Sequence, residues 1–342
     1  MTDTQDTNSD NNGTLSTIGG AVGDLISGVP GPIRENAWKA FGRLCTAAVE
    51  YPVAFIEGAV AEKRAETRAR VQLIEVSANQ IAEQMKTDPE YALAAATKFA
   101  EKIVRERVNV DKIAKIAADE LKSAPTKAIQ DTPSETAETA SISDDWLNAF
   151  ESEAAKMSSV QMQHLFGKIL AGEIRRPSSY SLRTIKLMAQ LDNKAASLFR
   201  LLCSLSISLR TPESNEILDA RVVSIDGDAA LNSLGAYGLH FSALNTLHEC
   251  GLIIADYNSY SDYQVAVAYN NEINCPLIYQ NIPRALIPHA AQQQRQKFAL
   301  HGVAFSQSGK ELLPIVDIEP NESYSKALTE FLHKKGMTMA II

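Results

Sequence analysis

The sequence predicts a mainly α fold: long N-terminal helices and a compact helical core, followed by a C-terminal winged-helix-like α+β domain. Three observations carry that prediction. Eight of the 17 glycines lie before residue 62 and none lies between Gly58 and Gly167, so this interval lacks the residue that most often punctuates helices. Within it, and on to residue 208, apolar residues recur at the i, i+3, i+4 spacing of amphipathic helices. Beyond residue 208 short alternating runs bounded by turn residues replace that spacing, as strands require.

A chain of 342 residues is long enough for two or three structural units. Residues 1–14 are acidic and polar where an export signal would carry positive charge before an apolar run, and they read as a disordered tail. Residues 15–61 form a Gly-rich, apolar to amphipathic leader. Pro30 and Pro32 break it, Asn36 is placed to cap a helix, and Trp38, Phe41, Leu44 and Cys45 make one apolar stripe on that helix. Lys39, Arg43, Glu50 and Glu57 surround Pro52 in the same window, which argues against a membrane span. Trp38, Phe41, Leu44, Phe55 and Ile56 instead offer a surface for a membrane or a partner, with packing against the rest of the protein as the competing use.

Residues 62–122 read as two long helices. The break falls at Thr87-Asp88-Pro89, where Asp88 caps and Pro89 takes the first helical position, and a restart is expected at Asn109. A stripe of Val71, Ile74, Ile81 and Met85 on the first helix favours self-association. Residues 123–142, rich in Pro, Ser, Thr and Glu without periodicity, mark a linker. Residues 143–208 are a helical core whose helices start at Ser143, Ser158, Ser181 and Asp192. In residues 209–342, strands are expected at 221–225, 252–255, 263–269, 277–280, 298–305 and 337–342, with helices at 241–250, from Ser308 and around Leu328.

The net charge of −8 is too acidic for a chain devoted to bulk nucleic acid. Residues 146–200 nevertheless hold eight bases against four acids. Lys168, Arg175, Arg176, Arg183 and Lys186 cluster there around Ser178, Ser179 and Ser181, just before a helix start, which is a sound anion or nucleic-acid site. The competing use is local: the arginines neutralise a helix C-terminus and Ser181 caps the next helix. Residues 241–250, the candidate recognition helix, carry Glu249 and no Lys or Arg, which leaves little affinity for phosphates. Cys45, Cys203, Cys250 and Cys275 form no CxxC pair and read as reduced thiols of a cytoplasmic protein. His240, His248 and Cys250, at i, i+8 and i+10, share no helical face, so no metal is assigned. With no P-loop, dinucleotide or zincin motif, no catalytic residue and no cofactor is assigned either.

Residues 145–202, containing QMQHLFGKILAGEIRRPSSYSLRTI, resemble the uncharacterised bacterial family known as domain of unknown function 2806. NVDKIAKIAADEL at 109–121, SQSGKELLPI at 306–315 and the terminal YSKALTEFLHKKGMTMAII extend the resemblance to roughly residues 62–342. That family implies no reaction. The Gly-containing leader followed by a helical module is also loosely similar to abortive-infection alpha-type proteins, which implies phage defence or a stress response by analogy. The sequence therefore favours a non-enzymatic, cytoplasmic interaction or effector protein, a homo-oligomer with a possible protein partner and peripheral contact at the inner membrane. A nucleic-acid-binding regulator and an unrecognised hydrolase are the competing classes.

Overall fold

In a computed structural model of the chain, the described residues are 31–45, 54–85, 88–123, 141–211, 216–269, 272–289 and 296–342. The chain divides into two units, Met1–Ile185 and Lys186–Ile342.

The first unit contains α1 (Gly31–Leu44), α2 (Ala54–Met85), α3 (Pro89–Ser123), α4 (Asp144–Ala154) and α5 (Val160–Arg175). Helix α1 starts five residues before the cap expected at Asn36, and Pro32 falls in its first turn, where its fixed φ suits a helix. Asn36 lies inside the helix, buried, and its Oδ1 accepts the Ile142 N–H at 3.2 Å. The cations that spoke against a membrane span tie α1 to the entry of α4. Lys39 Nζ donates to the Ile142 carbonyl at 2.6 Å, and Arg43 donates to Asp144 at 3.1 Å and to Asn148 at 2.6 Å.

Asp88 and Pro89 open α3 as their order predicts, with Asp88 Oδ1 accepting the Glu90 N–H at 2.9 Å. The restart expected at Asn109 is corrected: α3 runs unbroken to Ser123. Asn109 is buried, donates to the Ala155 carbonyl at 2.9 Å and accepts from Gln163 Nε2 at 3.3 Å, so a tertiary network takes the side chain that could have capped. Val110, Ile113, Ala117 and Leu121 are buried in the half of α3 that packs on α5, whose Phe166, Ile169, Leu170 and Ile174 are buried too. Trp146 stacks on Phe150 at 5.0 Å and Phe150 meets Phe166 at 5.6 Å, which joins α4 to α5. Helix α5 starts one residue later than expected, with Ser159 Oγ accepting the Met162 N–H at 3.3 Å.

Helix α6 (Leu182–Gln190) carries the division between the units. The second unit continues with α7 (Asn193–Leu205), capped by Asp192 as expected. Its sheet comprises β1 (Ile207–Arg210), β2 (Ile217–Val223), β3 (Tyr260–Asp262), β4 (Leu277–Tyr279), β5 (Ile282–Pro288), β6 (Ala299–Ala304) and β7 (Met337–Ile341), with α8 (Phe241–Glu249), α9 (Gln307–Leu312) and α10 (Glu322–Lys334) between them.

The expected fold class is corrected by this sheet. The seven strands among the described residues pair antiparallel in the order β3-β6-β2-β1-β4-β5-β7, so the chain is a helical part plus a sheet domain, where a mainly α protein ending in a winged-helix-like α+β domain was expected. Two physical causes hid it. Strand β5 has Pro283 second and Pro288 last, and proline reads as a strand breaker, yet Pro283 still holds its register opposite Ile278. Strand β1 continues the apolar run of α7, so the helical period appears to extend to residue 208. Two expected strands are absent: residues 252–255 contribute one bridge, Ile253 to Phe305, and residues 264–266 form a single 3-10 turn. Gln280 and Asn281, at φ 52° and 60°, make the two-residue turn between β4 and β5.

One buried ionic cluster pins the sheet. Arg221 grips Asp219 with two hydrogen bonds of 2.7 and 2.8 Å and donates to the carbonyls of Ser259 at 2.7 Å and Leu300 at 3.1 Å. Tyr263 donates its hydroxyl to Asp219 at 2.7 Å. Burial pushes the Tyr263 phenol well above its usual 10.0, and the Asp219 charge pushes it further. Burial also raises the Tyr324 phenol and the Cys45 and Cys203 thiols well above their usual values.

These groups keep their protons in the folded chain and release them near pH 9 to 10 when it unfolds. Their contribution to stability is whole below those values and is lost as pH rises through them. The unfolding free energy from urea titrations is therefore expected to be level from pH 7 to 8.5 and to fall above about pH 9, by up to about 1.4 kcal/mol per pH unit per group, with the midpoint falling in step. A midpoint unchanged to pH 11 would contradict this burial.

Candidate functional site

Three places were candidates for function: the basic cluster, the leader and the long helices. In the basic cluster Arg175, the last residue of α5, donates to the Glu120 carbonyl of α3, and burial lowers its pKa. Lys168 is half-buried and engaged within the structure. Arg176 and Arg183 are exposed; Lys186, also exposed, is the first residue of the second unit.

The loop that would cradle an anion already holds one. Ser178 N and Tyr180 N donate to the two carboxylate oxygens of buried Glu173 at 2.7 and 3.1 Å, with Ser178 at φ 68°. Ser181 Oγ accepts the Thr184 N–H at 3.2 Å, the local cap that competed with anion binding. By spacing alone Glu173 reads as a surface partner for Arg176 at i+3. Its position inside an otherwise apolar helix face was the available signal that it serves the loop.

The leader surface is corrected in part. Phe41 and Leu44 are fully buried, because α1 turns its stripe toward the helices it contacts, α2, α3, α4 and α5. Neither side chain can meet a membrane or a partner without unfolding α1. Trp38 is half-buried, and the side chains of Phe55 and Ile56 lie outside the described residues.

Helices α2 and α3 form an antiparallel hairpin: three residues separate them, and residues 63–70 of α2 face residues 103–107 of α3 across a shared cavity. The cavity, about 350 Å³, is lined by charged groups that neutralise each other. Glu151 of α4 receives Lys63 at 3.1 Å and Arg107 at 2.5 Å, and Glu66 receives Arg70 at 2.5 Å. Its lining includes no histidine or cysteine among the described residues. The pairing of Lys63 and Arg107 with Glu151 makes this a joint between three helices.

The outer faces of the hairpin are unlike the cavity. Leu73 and Val76 on α2 are 68% and 70% exposed, and Leu93, Phe99 and Val104 on α3 are 55%, 59% and 52% exposed. Leu93, Thr97, Ala100, Val104 and Val108 follow one another at intervals of four, three, four and four residues, so they line up along one side of α3. Of the stripe expected on α2, Val71 and Ile74 are half-buried, and the side chains of Ile81 and Met85 lie outside the described residues.

Among the described residues no three His, Cys, Asp or Glu side chains converge as a metal site, and no helix is long and apolar enough to cross a membrane. Neither the curated proteins nor the solved structures provide a match to the chain. The loose similarity to abortive-infection alpha-type proteins gains no support from these comparisons. The sequence pattern of one family, described as protein of unknown function (DUF2806), does match, over residues 95–329. That match starts in α3, includes the Glu173 loop and extends over strands β1 to β6 into α10, more than half of the chain, and this protein belongs to that family.

Proposed function

We propose that this protein is a non-enzymatic, self-associating interaction protein whose contact surface is the α2–α3 hairpin. The supporting observation is the row of large apolar side chains on the outer faces of both helices. Single exposed apolar residues need no explanation, whereas a continuous stripe on a long helix marks a surface that another helix covers. A two-helix hairpin with apolar residues on inner and outer faces gains most by pairing with a second such hairpin.

Sedimentation velocity of the full chain tests this. Association is expected at low micromolar concentration, and Leu93→Glu with Val104→Glu is expected to weaken it at least about a hundredfold, since each side chain loses roughly 1.5–3 kcal/mol of burial. Both side chains are exposed in the single chain, so its thermal unfolding should change little. A wild-type chain that stays monomeric at 100 µM overturns the proposal.

A cytoplasmic setting and a role in phage defence or stress response are proposed on the resemblance alone. Plaque counts with and without the gene, and with the Leu93→Glu, Val104→Glu pair, are the corresponding test. Equal counts in all three strains would remove the role in phage defence. With Phe41 and Leu44 in the core, peripheral membrane contact would fall to the rest of the leader, and equal flotation of the full chain and of a chain starting at Glu62 would remove that proposal.

A further inference from the structure

We infer that two hairpins associate antiparallel, the turn end of one against the base of its copy, so that four helices close into one bundle. This rests on the self-association proposed above and adds its direction, which charge decides. The turn end is acidic: residues 80–91 hold Glu83, Asp88 and Glu90 against Lys86 as their one base. The three acids are exposed.

The base of the hairpin is basic. Residues 63–70 hold four bases and one acid, and residues 102–112 of the facing helix hold four bases and two acids. Lys63 and Arg107 are paired with Glu151 and Arg70 with Glu66, while Arg68, Arg105 and Lys112 are exposed outside that cavity and keep this end positive. Each hairpin is therefore a bipolar rod with an apolar side. Parallel pairing would set three acids against three acids and base against base. Antiparallel pairing sets acid against base at both ends, and opposite charges flanking an apolar seam select partner and orientation.

The side chains along the seam agree with close packing. Ala94 and Thr97 are exposed on α3 and Ala100 is half-buried there, while Ala65 and Ala69 are exposed on α2. Small residues at these turns let helix axes approach while Leu73, Val76, Leu93 and Val104 fill the spaces between them. The occupant that fits this surface is a second copy, because the required complement is the same rod turned end for end.

Cross-linking decides the direction. On a Cys250→Ser background, which removes the one cysteine that is not buried, one preparation carries Arg68→Cys and another Glu90→Cys. Mixed and treated with a flexible bis-maleimide, they are expected to give the Arg68→Cys to Glu90→Cys product in at least about tenfold excess over Glu90→Cys homodimers. Independently, Arg68→Glu with Arg70→Glu should weaken self-association about tenfold or more, and mixing that chain with one carrying Glu83→Arg and Glu90→Arg should restore it.

Predominant Glu90→Cys homodimers would mean parallel pairing, which overturns the inference and leaves self-association standing. A dimer by sedimentation that forms neither product likewise overturns it, because the contact then lies off the hairpin. A monomer at 100 µM removes the proposed function itself, so the two failures are distinct.

Discussion

Asp219→Ala is expected to cost the sheet domain about 3–5 kcal/mol, enough to unfold most of it at 37 °C. The side chain removed is small, but what it leaves behind is not. Arg221 is 3% exposed as a side chain, and burial alone pulls its pKa down without removing its charge. The Asp219 carboxylate outweighs that effect and holds the guanidinium charged. Without it a full positive charge stays in the sheet interior facing two carbonyls, and the Tyr263 hydroxyl loses its acceptor. Breaking one member of a buried pair costs far more than the pair contributes net, since the remaining charge is desolvated without compensation.

The double replacement Asp219→Leu with Arg221→Met should therefore be milder than Asp219→Ala, although two residues fewer then hydrogen-bond. Amide hydrogen exchange reads the difference. Asp219→Ala should speed exchange in β2, β6 and the 259–263 segment together, whereas Tyr263→Phe, which loses one hydroxyl contact, should cost about 1 kcal/mol. Equal effects from Tyr263→Phe and Asp219→Ala would show that the buried charge is not what matters.

How far the sequence could reveal this depends on how local each signal is. The opening of α3 at Asp88-Pro89 and the cap at Asp192 were legible because residues adjacent in sequence satisfy them. Asn36 and Asn109 misled for the converse reason. Each is a good capping residue, and each has its amide taken by a group 46 or more positions away in the chain. The sheet suffered most, since seven strands pair across connections of up to dozens of residues and strand periodicity in three- or four-residue strands such as β3, β4 and β1 is hardly a pattern at all. The basic cluster was legible as charge. That its loop is filled by Glu173 was not, because a lone acid in an apolar helix face does not announce which backbone it will meet. For the hairpin, apolar periodicity identified the helices, but choosing the outer from the inner stripe required knowing where the partner helix lies.

Gly167→Val should cost the helical unit at least about 3 kcal/mol, against an intrinsic helix preference that points the other way. A glycine in the middle of α5 gives up roughly 1 kcal/mol relative to alanine, so its presence needs a compensating contact. The contact is the crossing of α5 over α3: a Cβ at residue 167 would lie 2.5 Å from Ile116 Cγ2, 2.8 Å from Ile116 Cβ and 3.3 Å from the Ala117 amide nitrogen. Ile116 is β-branched and fixed at its χ1 by its own helix, so it cannot swing aside, and α3 would have to move as a rod. For Gly167→Ala the propensity gain offsets part of the clash, leaving a net loss of about 1–2 kcal/mol, while valine brings a smaller gain and two more methyl groups. Because Trp38 and Trp146 both lie in the first unit, tryptophan fluorescence during urea unfolding reports on this unit directly. The decisive measurement is the double replacement. If close approach is what glycine provides, Ile116→Gly, which removes both Cγ2 and the Cβ at 2.8 Å, opens the space and makes Gly167→Ala neutral or stabilising in that background, a coupling of roughly 1–2 kcal/mol, whereas Ile116→Ala keeps the Cβ and relieves only part of the loss. Strictly additive losses would mean that Gly167 is kept for its backbone, and that the seat of the hairpin on the helical core does not depend on this crossing.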